Sequence, residues 1–473
     1  MPAFWRKAMQ RPWMRNHPDR MPTDFSCTIP TLWHVDGFEV FRNQEFYAWS
    51  WSSVLSSPMV QGLDVMDTQF LLCAIPHAWI RSRAVKSRIH QIIAKFVAWN
   101  IQIMSRGVGP TRGFYGEEFK PKSIYDRLAD QPLAGQWKAL YFGWHGDTKA
   151  RREAHAFCQH YNSTYMCDEC FAVQNYPRAP KILLYQNFGP DAMHLMTRFG
   201  HKDYMKIFRV RSPWVLNVPG CSKESLFKDV QHVVFLGTGR DLVASIIIDL
   251  LEKGTLRRHL CPDFLVQREE EVLKHLNIDF TAWCREKKLC VASLKSFTLS
   301  NLNRLQKNTY PELGSHFKSE PVKVLIFYVA DLTLRLQGED VHSRVRASCA
   351  WSMAQFVHVL SKADVWLTES EALEAFELMM MYLQKYQWLA NESKTEETYM
   401  WFIRPKTHYL QHIAYDLVSL RLNPTKLQCT HAESFLGRIK RVGTKCPGKN
   451  VCLRLAQRLF VHLAVRWHRR RKE

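Results

Sequence analysis

The sequence predicts an α/β protein in which a sheet-forming unit is interrupted by a long, mostly helical insertion. Three observations predict this class. Residues 31–76 and 137–147 have the composition and alternation of strands, and between them residues 82–104 carry apolar side chains at helical spacing. From about residue 222 to 400 helical segments dominate, and two basic helices are predicted beyond residue 430. The C-terminal helices are therefore expected to return to the first unit.

The strand predictions depend on short local patterns. FEVF leads to a turn at Arg42-Asn43, YAWSWS alternates aromatic with small residues, and FLLCAI ends at Pro76. After the helix at 82–104, residues 107–135 are rich in Gly and Pro and are predicted to form a loop. WKALYFGWHGD is predicted to be a fourth strand that ends on Asp147, with a polar helix after it. The predicted order is three strands, a helix, a strand and a helix.

A chain of 473 residues is long enough for two or three domains. We predict an N-terminal extension at 1–30 and the first part of the core at 31–165. The insertion is predicted at 166–412. Residues 413–473 are predicted to complete the core and to end in a basic tail.

The composition limits the class of partner and the compartment. The 65 Lys and Arg residues exceed the 44 Asp and Glu residues, and the net charge of +21 favours a polyanionic partner, nucleic acid before an acidic membrane surface. The N-terminus has no apolar signal core, and VASIIIDLLEKG is too short and too charged to cross a bilayer. Thirteen cysteines without regular spacing indicate a reducing, intracellular compartment.

Two pairs of residues could bind one metal ion. Cys167 and Cys170 form the only C-x-x-C, which can hold zinc, although a redox pair or a chance pair has the same spacing. His408 and His412 are four residues apart, so a helix would place them on one face. Tyr409 excludes the H-E-x-x-H motif of metalloproteases. Together the pairs predict a tetrahedral Cys₂His₂ zinc site that joins the start and the end of the insertion.

Three carboxylates could bind catalytic metal ions. Asp36 lies in the first strand group, Asp147 ends the fourth strand, and Glu433 begins a basic helix. Two aspartates on neighbouring strands and a glutamate from a packed helix can hold two Mg²⁺ ions for phosphoryl transfer. Among 44 acidic residues such a set also arises by chance. Asp229 and His232 form a D-x-x-H element at the start of a helix, where a capping or core role is the alternative.

In this order the motifs resemble the RNase H-like DDE transposases of the CACTA, Plavaka and Transib type, to which the catalytic subunit of the V(D)J recombinase is related. That group has one aspartate on the first strand and another on the fourth, then a C-x-x-C, a D-x-x-H that leads into Leu-Gly, paired histidines and a glutamate on a helix. Here Asp36, Asp147, MCDEC, DVQHVVFLG, THYLQH and Glu433 follow in that order over residues 31–445.

The resemblance implies an RNase H-like sheet, DNA strand cleavage and transfer of a 3′-hydroxyl to target DNA by a nuclear homodimer. It implies that Asp36, Asp147 and Glu433 bind two Mg²⁺ ions, which Mn²⁺ can replace. His232 would contact the scissile phosphate and Asp229 would orient that segment. The implied ligands of one structural Zn²⁺ are Cys167, Cys170, His408 and His412.

The sequence departs from the family in two ways. Only 35 residues precede Asp36, so the N-terminal DNA-binding module of the family is not expected before it, and the H-x₃-H spacing is narrower than in the recombinase. Basic residues after Glu433 are expected to contact DNA phosphates near the metals. These residues are Arg438, Lys440, Arg441 and Lys445.

Two other functions fit the same sequence. One is a zinc-stabilised DNA-binding protein that kept the scaffold and lost turnover. The other is a zinc hydrolase with His408 and His412 at the catalytic metal, which would need an open coordination position and a nearby base.

Overall fold

The computed structural model describes most of the chain in two compact units. The described residues are 1–15, 17, 25–41, 44–56, 64–80, 83–157, 159, 161–177, 179–207, 212–261, 268–289 and 296–470. Unit 1 comprises residues 1–160, 199–229 and 426–473, and unit 2 comprises 161–198 and 230–425. The turn predicted at Arg42-Asn43 lies outside the described residues, as do the last three residues of the basic tail.

Unit 1 contains a five-stranded mixed sheet. The strands are β1 (Thr28–Phe41), β2 (Gln44–Ser53), β3 (Gln69–Pro76), β4 (Lys138–Gly146) and β5 (Leu226–Lys228). Their order across the sheet is β3-β2-β1-β4-β5. β2 is antiparallel to β1 and β3, whereas β4 is parallel to both β1 and β5. The four strands predicted from the sequence are confirmed, and the short β5 is an addition.

The described residues form ten α-helices of eight or more residues, numbered here along the chain. They are α1 (Arg83–Arg106), α2 (Thr148–His155), α3 (Gly239–Glu252), α4 (Glu269–Glu286), α5 (Ser319–Arg335), α6 (Val341–Lys362), α7 (Glu369–Thr395), α8 (Pro405–Leu420), α9 (Thr430–Gly443) and α10 (Val451–Arg470). Shorter helical segments include Pro2–Ala8, Pro12–Arg15, Val65–Thr68, Ile124–Leu128, Met193–Met196, His201–Ile207, Pro213–Asn217 and Thr255–Leu260. A π-helical turn at Gln231–Thr238 precedes α3.

The two faces of the sheet in unit 1 bury two separate cores, because side chains alternate along a strand. Trp33 and Val35 of β1 lie on one face and pack with residues of α1, such as Val97. Phe38 and Val40 lie on the opposite face and pack with residues of α9 and α10. Even-numbered residues of this part of β1 therefore face α9, which places Asp36 on that side.

Unit 2 is a helical bundle around one large core. The core includes residues from α3 to α8, among them Ile246, Ile247 and Ile248 of α3, all fully buried. A helix that is apolar all round needs neighbours on every side, and α3 has them inside this bundle. The predicted helical character of this part of the chain is confirmed. Among the helices of the described residues, none combines the length and the apolar character needed to cross a membrane.

Candidate metal centres

A tight hairpin presents the two predicted cysteine ligands in unit 2. Tyr165 and Val173 pair as an antiparallel bridge, and the Met166 amide donates to the Ala172 carbonyl at 3.1 Å. Cys167 and Cys170 lie in the loop of this hairpin, so both thiols point from one short turn. The Glu169 amide donates to Cys167 Sγ at 3.3 Å, which favours a thiolate at that sulfur.

The helix α8 presents the two histidines. Pro405 begins this helix, where its fixed φ and its missing N–H cost nothing. His408 and His412 follow on one face of the helix, as their spacing predicts. The Tyr409 hydroxyl donates to the Met166 carbonyl at 3.3 Å and so fastens α8 directly to the cysteine hairpin.

The four side chains converge on one point. Cys167 Sγ lies 3.4 Å from His412 Nε2, Cys170 Sγ lies 3.3 Å from His408 Nε2, and the two Nε2 atoms are 3.0 Å apart. All four ligand atoms lie within 4.8 Å of one another. Tetrahedral zinc, with bonds of about 2.0–2.1 Å to nitrogen and about 2.3 Å to sulfur, has ligand separations of about 3.3–3.8 Å. This buried cluster could therefore hold a metal ion such as zinc.

Electrostatics also favour a cation in this cluster. Burial raises the pKa of the Cys167 thiol well above the usual value. The hydrogen bond and the charge of Cys170 raise it further, and His408 lowers it by a smaller amount. The buried Cys167 thiol therefore does not ionise without a compensating positive charge. A bound metal cation supplies that charge and deprotonates coordinating thiols.

A second layer of polar residues orients the ligands. Glu169 Oε2 lies 3.8 Å from His412 Nδ1, and Arg198 donates to Glu169 at 3.2 Å and to Asp416 at 2.6 Å. A carboxylate behind a histidine fixes the ring and raises its basicity as a ligand. Sequence reasoning missed Glu169 and Arg198, although Glu169 lies inside the C-x-x-C itself.

His194, in the second D-x-x-H of the sequence, also belongs to this surrounding layer. Its ring packs edge-on against that of His408 with centroids 4.8 Å apart, and its Nε2 bonds Gln411 Oε1 at 2.8 Å. Burial, and then the proximity of His408, lowers the pKa of His194 to about 4. His194 is therefore a neutral packing residue.

The first two predicted carboxylates lie side by side at one edge of the sheet in unit 1. β1 and β4 are parallel, and His34 pairs with His145. Asp36 follows His34 by two residues within β1. Asp147 follows His145 by two residues and directly succeeds β4, which ends at Gly146, as the N-cap of α2. Because neighbouring strands lie about 4.8 Å apart, the backbones that carry the two aspartates are close to each other.

The helix α9 brings Glu433 to the same edge. Phe435 and Ile439 of α9 share a core with Phe38 and Val40, the even-numbered residues that follow Asp36 on β1. Glu433 lies in the first turn of α9, and its amide donates to the Cys429 carbonyl at 2.8 Å.

The carboxylates also act on the buried thiol of Cys429. Burial raises its pKa well above the usual value, and the negative charges of Asp229, Glu433, Asp36 and Asp147 raise it further. Among the described residues, the groups of candidate ligands that lie within 4.8 Å of one another include Asp229 and Glu433 but neither Asp36 nor Asp147. That Asp36, Asp147 and Glu433 share two metal ions stays a prediction.

Asp229 has two close neighbours within this group. Its Oδ1 accepts the Cys429 amide at 2.9 Å, and its carboxylate lies within 4.8 Å of that of Glu433. Asp147 Oδ1 accepts the Ala150 amide at 2.6 Å and thereby caps α2. Carboxylate oxygens in such a cluster are the donors that Mg²⁺ and Mn²⁺ prefer.

The remaining predicted residues lie on other elements. His232 belongs to unit 2, half-buried in the π-helical turn at Gln231–Thr238. The four predicted DNA contacts are all exposed on or just after α9. Arg438 lies 3.5 Å from Asp64 and Lys440 lies 3.6 Å from Glu39, so these two already face carboxylates.

Comparison with known proteins gives no family for this chain. No model of a known protein family matches the sequence, and no curated protein matches it at a significant level. The two sites themselves therefore carry the indication of function.

Proposed function

We propose that the chain is a DDE-type transposase, or a protein derived from one, with an RNase H-like catalytic sheet. The observation that supports the proposal is that Asp36 on β1, Asp147 directly after the neighbouring β4 and Glu433 in the first turn of α9 lie in one unit, on elements that pack against one another. The motif resemblance calls for these residue types in this chain order on these kinds of element.

Under this proposal the carboxylate group binds two Mg²⁺ ions, for which Mn²⁺ could substitute. Such a pair of ions activates a water or a 3′-hydroxyl and neutralises the leaving oxygen of a phosphodiester. Asp36 on β1 and Asp147 directly after β4 would provide oxygens from the sheet, and Glu433 would provide them from the helix. His232 would contact the scissile phosphate, as the resemblance implies.

The proposed occupant of the Cys₂His₂ cluster is a structural Zn²⁺. Four protein ligands complete a tetrahedron and leave no open position for a substrate or a water. This closed set argues against a zinc hydrolase centred on His408 and His412. The metals of the chemistry would be those of unit 1.

The proposed substrate is DNA, and the proposed assembly is a nuclear homodimer that holds paired transposon ends. The net charge of +21 and the basic surface of α9 support a polyanionic ligand. The main competing function is a DNA-binding protein that has lost turnover. The presence of all three carboxylates favours the active form.

Metal-dependent nicking of supercoiled plasmid tests the proposal. We expect nicking in Mg²⁺ or Mn²⁺, and a loss of at least about 100-fold in Asp36→Asn, Asp147→Asn and Glu433→Gln, because each change removes a metal-binding charge. Asp203→Asn, a matched change at an exposed aspartate of unit 1, should nick like the wild type. Equal nicking by the three site variants and by Asp203→Asn would refute the assigned site.

A further inference from the structure

The segment that leads into α9 is held at two points by residues of the sheet. His145 on β4 donates from Nδ1 to the Leu427 carbonyl at 2.6 Å, and Asp229, directly after β5, accepts the Cys429 amide at 2.9 Å. His145, Asp229 and Cys429 are all at least 97% buried. The two hydrogen bonds are therefore shielded from water, where such bonds are strongest.

The chemistry of the contacts fixes the state of His145. A backbone carbonyl can only accept, so the ring proton of His145 lies on Nδ1. The hydrogen bond thereby orients the buried ring as a donor towards the Leu427 carbonyl.

The start of α9 depends on these contacts because it has no cap of its own. Cys429 occupies the N-cap position without a side-chain capping bond. Helices usually fix this end with a Ser, Thr, Asp or Asn side chain. Here the backbone of residues 427–429 is fixed instead by the two strands that flank it.

Any displacement of this segment reaches the carboxylate cluster directly. Glu433 lies one turn beyond Cys429 and is bonded to its carbonyl at 2.8 Å. His145 lies on β4, two residues before Asp147, which directly follows that strand. The bond from His145 to Leu427 therefore sets the position of the Glu433 helix relative to the strand that leads into the second aspartate.

We propose that His145 and Asp229 are positioning residues that hold the first turn of α9, and so Glu433, beside Asp36 and Asp147. The consequence for catalysis rests on the function proposed above. The positioning of the first turn of α9 does not rest on that function, because it can be measured in the protein without any substrate.

The test compares four variants of the two residues with one control in the full chain. His145→Phe keeps a ring and loses the donor, whereas the side-chain amide of His145→Asn can donate from nearly the position of Nδ1. Asp229→Ala loses the acceptor, whereas Asp229→Asn keeps an acceptor oxygen and loses the charge. The control is His155→Phe. His155 is a buried histidine of the same unit, and its Nδ1 forms a hydrogen bond with Ser212 Oγ at 2.9 Å rather than with the 427–429 segment.

Two readouts separate positioning from a general loss of stability. The first is hydrogen–deuterium exchange of peptides that cover residues 427–436, relative to peptides from β2. The second is Mn²⁺-dependent plasmid nicking, for the wild type, the two His145 variants and the control. We expect faster exchange at 427–436 in His145→Phe and Asp229→Ala, and protection close to wild type in both Asn variants and in the control.

For nicking we expect a fall of about 10- to 100-fold in His145→Phe, the scale that misplacement of a catalytic group by about 1 Å produces. His145→Asn should recover most of it, and the control should nick like the wild type. Unchanged exchange at 427–436 in both His145→Phe and Asp229→Ala overturns the inference. Faster exchange with unchanged nicking overturns the positioning of Glu433.

A wild type that does not nick at all overturns the proposed function. The exchange data alone then decide whether His145 and Asp229 hold the first turn of α9. Should His145→Phe fail to fold, the Asp229→Ala and Asp229→Asn pair tests the same segment from its other contact.

Discussion

Removal of one ligand from the Cys₂His₂ cluster is the most direct perturbation of unit 2. In Cys170→Ala a bound ion would lose one of its four ligands, and the His408 ring loses its partner sulfur at 3.3 Å. Such an ion would join points 238 residues apart in the chain, from Cys170 to His408. For a cross-link of that span the chain-entropy relation gives about 5 kcal/mol of stabilisation, which is comparable with the whole stability of a typical domain.

This magnitude sets a clear expectation for thermal unfolding. At about 2–4 °C per kcal/mol for a unit of this size, Cys170→Ala should lower the Tm by roughly 10–20 °C. Cys349→Ala is the matched control, because Cys349 is equally buried in the core of the same unit and lies outside the cluster. It should lose only the packing of one sulfur, on the order of 1–2 kcal/mol.

The assay combines metal analysis with calorimetry. The wild type and Cys349→Ala should each contain about one zinc per chain, and Cys170→Ala should contain less. A chelator should lower the Tm of the first two proteins and leave that of Cys170→Ala nearly unchanged. Equal Tm losses in the two variants, or a folded wild type that contains no metal, would refute the reasoning.

Three further predictions concern other parts of the chain. Asp147→Asn should lose nicking but keep the α2 cap, because an Asn oxygen also accepts the Ala150 amide, whereas Asp147→Ala should in addition lose about 1 kcal/mol in chemical denaturation. Burial lowers the pKa of His342, but the hydrogen bond and charge of Asp249 outweigh it, so the folded pKa is raised. The resulting stability is complete below the ordinary value of 6.5 and is lost as pH rises through the folded pKa, so the Tm should fall over that range and His342→Phe should flatten the profile. If Arg441 and Lys445 each contact a phosphate, replacing both with alanine should reduce the slope of log affinity against log salt by about 1.8, and an unchanged slope would exclude both contacts.

The sequence anticipated elements whose pattern is local. The alternation in YAWSWS and the apolar spacing at 82–104 arise within single elements, and both elements formed as expected. β5 was missed because its three residues are too few for a period and are buried throughout. The π-helical turn at Gln231–Thr238 was predicted as ordinary helix, because its apolar composition gives no sign of the irregular backbone at Gly237.

At the sites too, features with a local sequence pattern could be predicted and features without one could not. The Cys₂His₂ cluster could be predicted, because Cys and His at fixed spacings carry recognisable chemistry. The residues that hold those ligands could not be predicted in the same way. The bonds from Arg198 to Asp416 and from His145 to Leu427 connect positions separated by 218 and 282 residues, and they exist only after packing has brought distant segments together.

The division of unit 1 into three stretches of chain has a consequence for biosynthesis. Glu433 emerges from the ribosome roughly 400 residues after Asp36, which at 5–20 residues per second is a delay of about 20–80 s. All of unit 2 is synthesised within that interval. A nascent or prematurely terminated chain would therefore hold both aspartates but not the glutamate. The carboxylate cluster is therefore completed only when synthesis is almost finished, and under the proposed function a prematurely terminated chain would not cut DNA.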